Sequence, residues 1–197
     1  MFLSRRHIAL LAILAGSLAG VQAHAQTPAP AAKKSAAQAA TLKVSTLKGK
    51  FAFTLPAGYT ANPLPAGNAQ NGTAGASGVM YLNEAQRRVV IATEVPANGA
   101  AAPSDDDREF LDGAVAGFLK QQAESVPDFK QIAEKRLKQK NLGIRQIEST
   151  ATLGGGKTLC TTFIAGSGDT LSLVQVISRA DDPSGHEAMV RSIADRR

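Results

Sequence analysis

Cysteine, histidine and long apolar runs are all scarce in this chain, and each scarcity removes a class of function. A single cysteine, Cys160, excludes an intramolecular disulfide. Three histidines and that one cysteine leave almost nothing from which to build a zinc site. No apolar run is long and clean enough for an internal membrane span. No Ser-His-Asp set can be assembled without His186, and no pair of carboxylates stands out as glycosidase-like. What remains is an ordinary globular composition, 44% hydrophobic and 19% charged, in 197 residues, which is one domain's worth of material.

The first segment reads as an address. Residues 1–25 carry the three parts of an export signal. Arg5 and Arg6 supply the positive end, Ile8 to Leu14 is unbroken apolar sequence, and Ala23-His24-Ala25 offers the small side chains that a signal peptidase needs. Cleavage is predicted between Ala25 and Gln26. Gly16, Ser17 and Gly20 interrupt the apolar run and argue against a permanent anchor. Ser4-Arg5-Arg6-His7-Ile8 also loosely matches the twin-arginine motif, but paired arginines are common in ordinary signals, so the general secretory route is expected. With no cysteine near the cleavage point there is no site for lipid attachment. The signal grammar is bacterial, which makes the expected compartment the periplasm.

Export reframes charge and cysteine. The formal charge of +6 includes Arg5 and Arg6, which leave with the signal. Residues 26–50 hold five lysines and no acid, whereas residues 51–197 carry 15 basic and 16 acidic side chains. The basic balance thus belongs to the N-terminal tail, which argues against a nucleic-acid binder with a basic face on its domain. The tail is expected to be a solvated tether, with weak contact to an anionic membrane surface as the alternative. One local exception is Lys130, Lys135, Arg136, Lys138, Lys140 and Arg145, crowded into a span with one acid, Glu134. It reads as a contact patch, or as lysines that block pairing at a sheet edge. Cys160 lies in a β-type run and reads as a small buried hydrophobe.

Residues 26–40 are rich in Ala and Pro and are expected to be a flexible linker; one folded domain is expected over 41–197. Phe51, Phe53 and Leu55 alternate, predicting a half-buried strand that Pro56-Ala57-Gly58-Tyr59 ends. Residues 61–78 read as loop. Strands follow at Gly78–Leu82 and Arg88–Val95; in the second, Val89, Ile91 and Val95 face one way while Val90 and Ala92 face the other, so both faces need cover. Ser104 is expected to cap a helix whose stripe is Phe110, Leu111, Ala114, Val115, Phe118 and Leu119 and which ends before Pro127. Asp105, Asp106, Asp107 and Glu109 fit the dipole of that helix better than a calcium site. Phe129 to Lys138 fits either a helix or a twisted strand. Strands are predicted at Leu142–Leu153, with a bulge, at Lys157–Ala165 and at Thr170–Arg179, the first two joined at Gly154-Gly155-Gly156. A short amphipathic helix from Pro183 closes the chain with Ala188, Met189, Val190 and Ile193; His186 is read as an exposed residue of it, neither base nor ligand. Short turns between strands imply a mostly antiparallel sheet in an α+β sandwich.

Two local motifs are set aside. Gly154-Gly155-Gly156-Lys157-Thr158 resembles a phosphate-binding loop, but a strand follows where a helix N-terminus is required. Asn71-Gly72-Thr73 fits a glycosylation acceptor, which matters only in a host with that machinery.

Phe51-Ala-Phe-Thr-Leu-Pro56-Ala-Gly58-Tyr59 resembles the opening of the DcrB-like family, within the PsbP-like fold group. The helix after Ser104, the break at Val126-Pro127-Asp128-Phe129, the strands around Gly154–Gly156 and the closing helix match its course over most of residues 45–195. The resemblance implies that Phe129 to Lys138 is a strand, in an antiparallel sheet of six or seven strands packed with helices as an α/β/α sandwich. It also implies an envelope accessory protein that binds other proteins, is not an enzyme and uses no cofactor. The chain departs from DcrB itself in lacking the lipobox cysteine. The expected function is therefore a monomeric, exported, non-catalytic binding protein with an envelope protein partner. The alternative is a periplasmic hydrolase or a carrier of a small apolar ligand.

Overall fold

A computed structural model describes residues 41–68, 74–97 and 104–195. The export signal, the cleavage point between Ala25 and Gln26, the linker 26–40 and Asn71-Gly72-Thr73 lie outside the described residues. Nine strands and two helices follow in order: β1 (Leu42–Thr46), β2 (Phe51–Leu55), β3 (Thr60–Pro63), β4 (Ser77–Asn83), β5 (Arg88–Pro96), α1 (Arg108–Ser125), β6 (Lys130–Gln139), β7 (Leu142–Leu153), β8 (Gly156–Ser167), β9 (Thr170–Arg179) and α2 (Pro183–Ala194). Among the described residues no helix is long and apolar enough to cross a membrane.

The main sheet has seven strands in the order β3-β4-β5-β9-β8-β7-β6, every neighbouring pair antiparallel. Strands β6 to β9 form a meander of hairpins. Helix α1 carries the chain from β5, near one edge, to β6 at the other, and β9 then returns to pair with β5. The alternation in sequence decides the layering. Ile164, Leu173 and Val95 fall in a cluster with Ala114, Val115 and Phe118 of α1. Phe163, Val174 and Ala92, each an odd number of residues away on the same strands, fall in a second cluster on the opposite face. That face is covered by Met189, Val190 and Ile193 of α2 and by Phe51, Phe53 and Leu55 of a separate two-stranded sheet, β1-β2. Phe51 stands edge-on to Phe163 with centroids 6.2 Å apart, tying the small sheet to the middle of the large one.

Several local expectations are corrected. The helix cap is Asp107, not Ser104: its side chain accepts from the Phe110 amide at 3.0 Å, and Asp105 and Asp106 precede the helix. Residues 61–78 are not all loop, because β3 pairs with β4 through Thr60–Pro63. The bulge expected in β7 lies in its partner β6, where the register slips between Gln131 and Ala133 and leaves Ile132 57% exposed. The strand expected by resemblance at Phe129 to Lys138 is β6, so helical spacing was misleading there: edge residues meet one neighbour and one wet face, and period two is not enforced. His186, expected to be exposed, is buried.

Phe163→Ala should empty a site that is fully buried under both Phe51 and the sheet, costing about 3–5 kcal/mol. Urea unfolding should show this as a lower midpoint, while Ile132→Ala at the exposed bulge should stay within about 0.5 kcal/mol of the parent.

Candidate functional site

His186 occupies the first turn of α2, three and four residues before Met189 and Val190, so helical spacing turns it to the sheet with them. Its Nε2 lies 2.9 Å from the Thr161 hydroxyl on β8, and its Nδ1 lies 3.0 Å from the Ser178 hydroxyl on β9. Ser178 also accepts from Arg88 Nε at 3.0 Å. The Arg88 guanidinium donates to Gln86 at 2.9 Å and pairs with Asp182, whose other oxygen accepts from the Gly185 amide and caps α2. A Cβ at Gly185 would run into that guanidinium, so only glycine permits the approach. Thr161, Ser178 and Arg88 are all buried, as is Tyr59, whose hydroxyl lies beside the Arg88 guanidinium. Burial, reinforced by the Arg88 charge, pushes the His186 pKa down from its ordinary 6.5 to about 4; Glu148 and Asp182 oppose the shift without reversing it. The ring is therefore neutral at pH 7. A neutral ring has one donor and one acceptor, and the two hydroxyls supply the complement.

The basic run of β6 and β7 does not form one face. Lys135 pairs with Glu148 at 2.6 Å on the α2 side of the sheet. Arg136 reaches Asp112 of α1 at 3.7 Å, and Lys138 reaches Asp106 at 2.8 Å, on the other side. Arg145 departs most from the expected patch. Its side chain is 2% exposed and is held by Asp112 at 2.7 Å and Glu134 at 3.8 Å, so it presents nothing to a partner. The Arg145 hydrogen bond keeps the Asp112 carboxyl below the usual range, and Lys138 does the same for Asp106. Lys130 and Lys140 stand exposed at opposite ends of β6.

At the Lys140 end the surface opens. The chain between β1 and β2 makes a single tight turn, Leu47–Gly49, in which Leu47, Lys48 and Gly49 all have left-handed backbone, φ 53°, 56° and 92°. The Leu47 amide donates to Glu94 at 2.7 Å, and Leu47 itself is buried. On one side of this tip lies a hollow of about 680 Å³ that includes Glu94; on the other lies one of about 380 Å³ that includes Asp105 and Lys140. Asp105 joins the walls. Its carboxylate accepts from Lys50 at 2.7 Å and from Ser167 at 2.6 Å, and its carbonyl accepts from the Gly143 amide at 2.7 Å. Those bonds, Lys50 first, hold its pKa below the usual carboxylate range. A third concavity beside α2, about 280 Å³, is lined by Lys135, Glu148, His186 and Glu187.

The sequence missed both features for identifiable reasons. His186 stands at core spacing with Met189 and Val190, a signal that polarity masked. The Lys48-Gly49 pair is a turn signal in which only the glycine advertises itself.

No family model matches the chain, and no curated protein does. Solved structures do. The solution structure of cyanobacterial PsbP (CyanoP) from Synechocystis sp. PCC 6803 superposes with a TM-score of 0.56 at 11% identity, over 86% of this chain and 97% of that one. The fold is PsbP-like. Two looser likenesses are PA94 from Pseudomonas aeruginosa, with a TM-score of 0.42 at 12% identity over 77% of this chain and 91% of that one, and LpqN, involved in cell envelope biogenesis of Mycobacterium tuberculosis, with 0.44 at 12% over 69% and 76%.

Between pH 6.5 and about 4 the unfolded chain protonates His186 and the folded chain does not. Stability should therefore fall as pH drops through that window, by about 3 kcal/mol in total, and this contribution should level off below it. In His186→Gln the urea midpoint should lose that slope. Parallel pH profiles for parent and variant would show that the ring is not held neutral.

Proposed function

We propose that this chain is an exported bacterial envelope protein, a DcrB-like member of the PsbP-like fold group, that acts by binding a partner or ligand and not by catalysis. One observation carries the reading. Among the described residues, the hydroxyls that meet the neutral base are buried: Ser178, beside His186 Nδ1, is 1% exposed and does not line the 280 Å³ concavity that His186 and Thr161 border, and Thr161 is 2% exposed. A nucleophile needs a substrate within reach, and the Ser178 oxygen already faces the Arg88 guanidinium. The export signal supports the periplasm as the compartment. The buried Phe51, Phe53, Leu55 and Tyr59 support the DcrB-like motif, whose spacing shapes the β2 strand and its turn. An envelope protein is the proposed partner, met by a monomer, with the lysine-bearing tail as a further contact to the membrane surface and no role for nucleic acid.

The 3.0 Å approach of His186 to Ser178 favours a second reading, a hydrolase. A carrier of a bulky apolar ligand is less well supported, because the cavity between α1 and the sheet is about 70 Å³.

Photo-crosslinking in intact periplasm should recover the same protein partner reproducibly; blank recovery in repeated trials counts against the binding reading. A fluorophosphonate probe should leave the native chain unlabelled. Labelling that Ser178→Ala removes would establish the hydrolase instead.

A further inference from the structure

We infer that the 380 Å³ hollow at the Leu47–Gly49 tip is a binding site for a compact, multiply charged anion of the phosphate type, held between Lys48 and Lys140. The inference deepens the ligand-binding side of the proposed function by naming a chemical class.

Charge is the first argument. The hollow is lined by three ammonium groups, on Lys48, Lys50 and Lys140, against one carboxylate, Asp105. That carboxylate is engaged with Lys50 and with Ser167. Among the described residues, Lys48 and Lys140 have no carboxylate partner. Glu94, the acid of the adjoining hollow, uses one oxygen to hold the Leu47 amide, so it fixes the tip on which Lys48 stands.

Backbone strain is the second. Four non-glycine residues among those described have positive φ: Leu47, Lys48, Arg87 and Lys140. Left-handed backbone costs an ordinary residue about 1–2 kcal/mol, and glycine or asparagine would occupy these turns more cheaply. Leu47 offsets the cost by burial. Lys48 and Lys140 are exposed and gain nothing from packing, yet they stand on two sides of one hollow. Arg87, equally exposed in the β4–β5 turn, shows that a turn can carry such backbone without a site, so the weight lies on two of the four converging on one hollow.

Size and chemistry set the ligand. A volume of about 380 Å³ is at the small end for small-molecule sites. Two point charges without a carboxylate partner among the described residues are best met by one group with charge to share, and Asn141 lines the same hollow. A free phosphorylated molecule and an anionic lipid headgroup both present such a group.

The test uses the chain purified after export, with inorganic pyrophosphate and phosphatidylglycerol vesicles as probes and phosphatidylcholine vesicles as the blank. Amide shifts in a pyrophosphate titration should cluster at Lys48, Gly49, Lys140 and Asn141. The double variant Lys48→Asn, Lys140→Asn should melt at or above the parent temperature, because asparagine tolerates left-handed backbone, and should bind at least about tenfold more weakly. Lys130→Asn with Lys157→Asn, at the other end of the strands, should bind like the parent. Saturable pyrophosphate binding that the first variant loses identifies a soluble ligand, and vesicle binding lost in the same way identifies a headgroup. The inference is overturned if neither probe binds, if binding survives the first double variant, or if both double variants weaken it equally. Crosslinking reads protein partners and this titration reads a small anion, so either can fail alone.

Discussion

A sheet that is apolar on both faces must be covered on both, and that constraint organises this molecule. Phe163 and Ile164 are adjacent in sequence, fully buried, and belong to cores on opposite sides of β8. Full burial of such side chains contributes roughly 1.5–3 kcal/mol each, far more than an exposed ion pair. The two covers are unlike. One side has α1, lying across the meander it precedes. The other has α2 together with the β1-β2 sheet, assembled from the two ends of the domain.

The composite cover explains the polar cluster. A helix and a strand pair that meet over a sheet leave backbone ends and a corner to satisfy. Arg88 does much of this, reaching from β5 to Ser178 on β9 and to the carboxylate that caps α2. His186 completes it as a neutral ring between two hydroxyls. A histidine beside serine thus serves here to fasten a helix. The charged residues of β6 divide between the two faces of an edge strand, where exposed pairs contribute little and lysines keep other strands from adding.

Much of the fold was legible because period two is unambiguous in central strands. Val90 and Ala92 against Val95, or Val174 and Val176 against Leu171 and Leu173, declare two cores before any contact is known. Legibility failed where one rule covered for another. Phe129, Ile132, Ala133, Arg136 and Leu137 have helical spacing by accident of an edge strand with a bulge, and only the family resemblance pointed to a strand. Asp107 was legible as an acid at a helix start but not as the cap, since four candidates stand in a row. The surface hollows were out of reach, because they arise where the β1-β2 tip, the entry to α1 and the β6-β7 turn converge from distant parts of the chain. Arg145 looked like its neighbours in a basic run. Only the pairing with β6 and α1 makes it an interior residue.

The return of β9 to β5 sets the order in which the molecule can be finished. Every other neighbouring pair in the large sheet joins strands consecutive in sequence, whereas Arg88 and Ser178 meet across a separation of 90 residues. Closing so long a loop costs entropy before any contact repays it. The β3-β5 sheet and the β6-β9 meander are each local and can form early, but each then exposes an open edge at the middle of the future sheet. Assembly is complete only when those two edges find one another, and α2 packs at the same seam through Asp182 to Arg88 and His186 to Ser178. Helix α2 is thus the latch on the join between the two halves of the sheet.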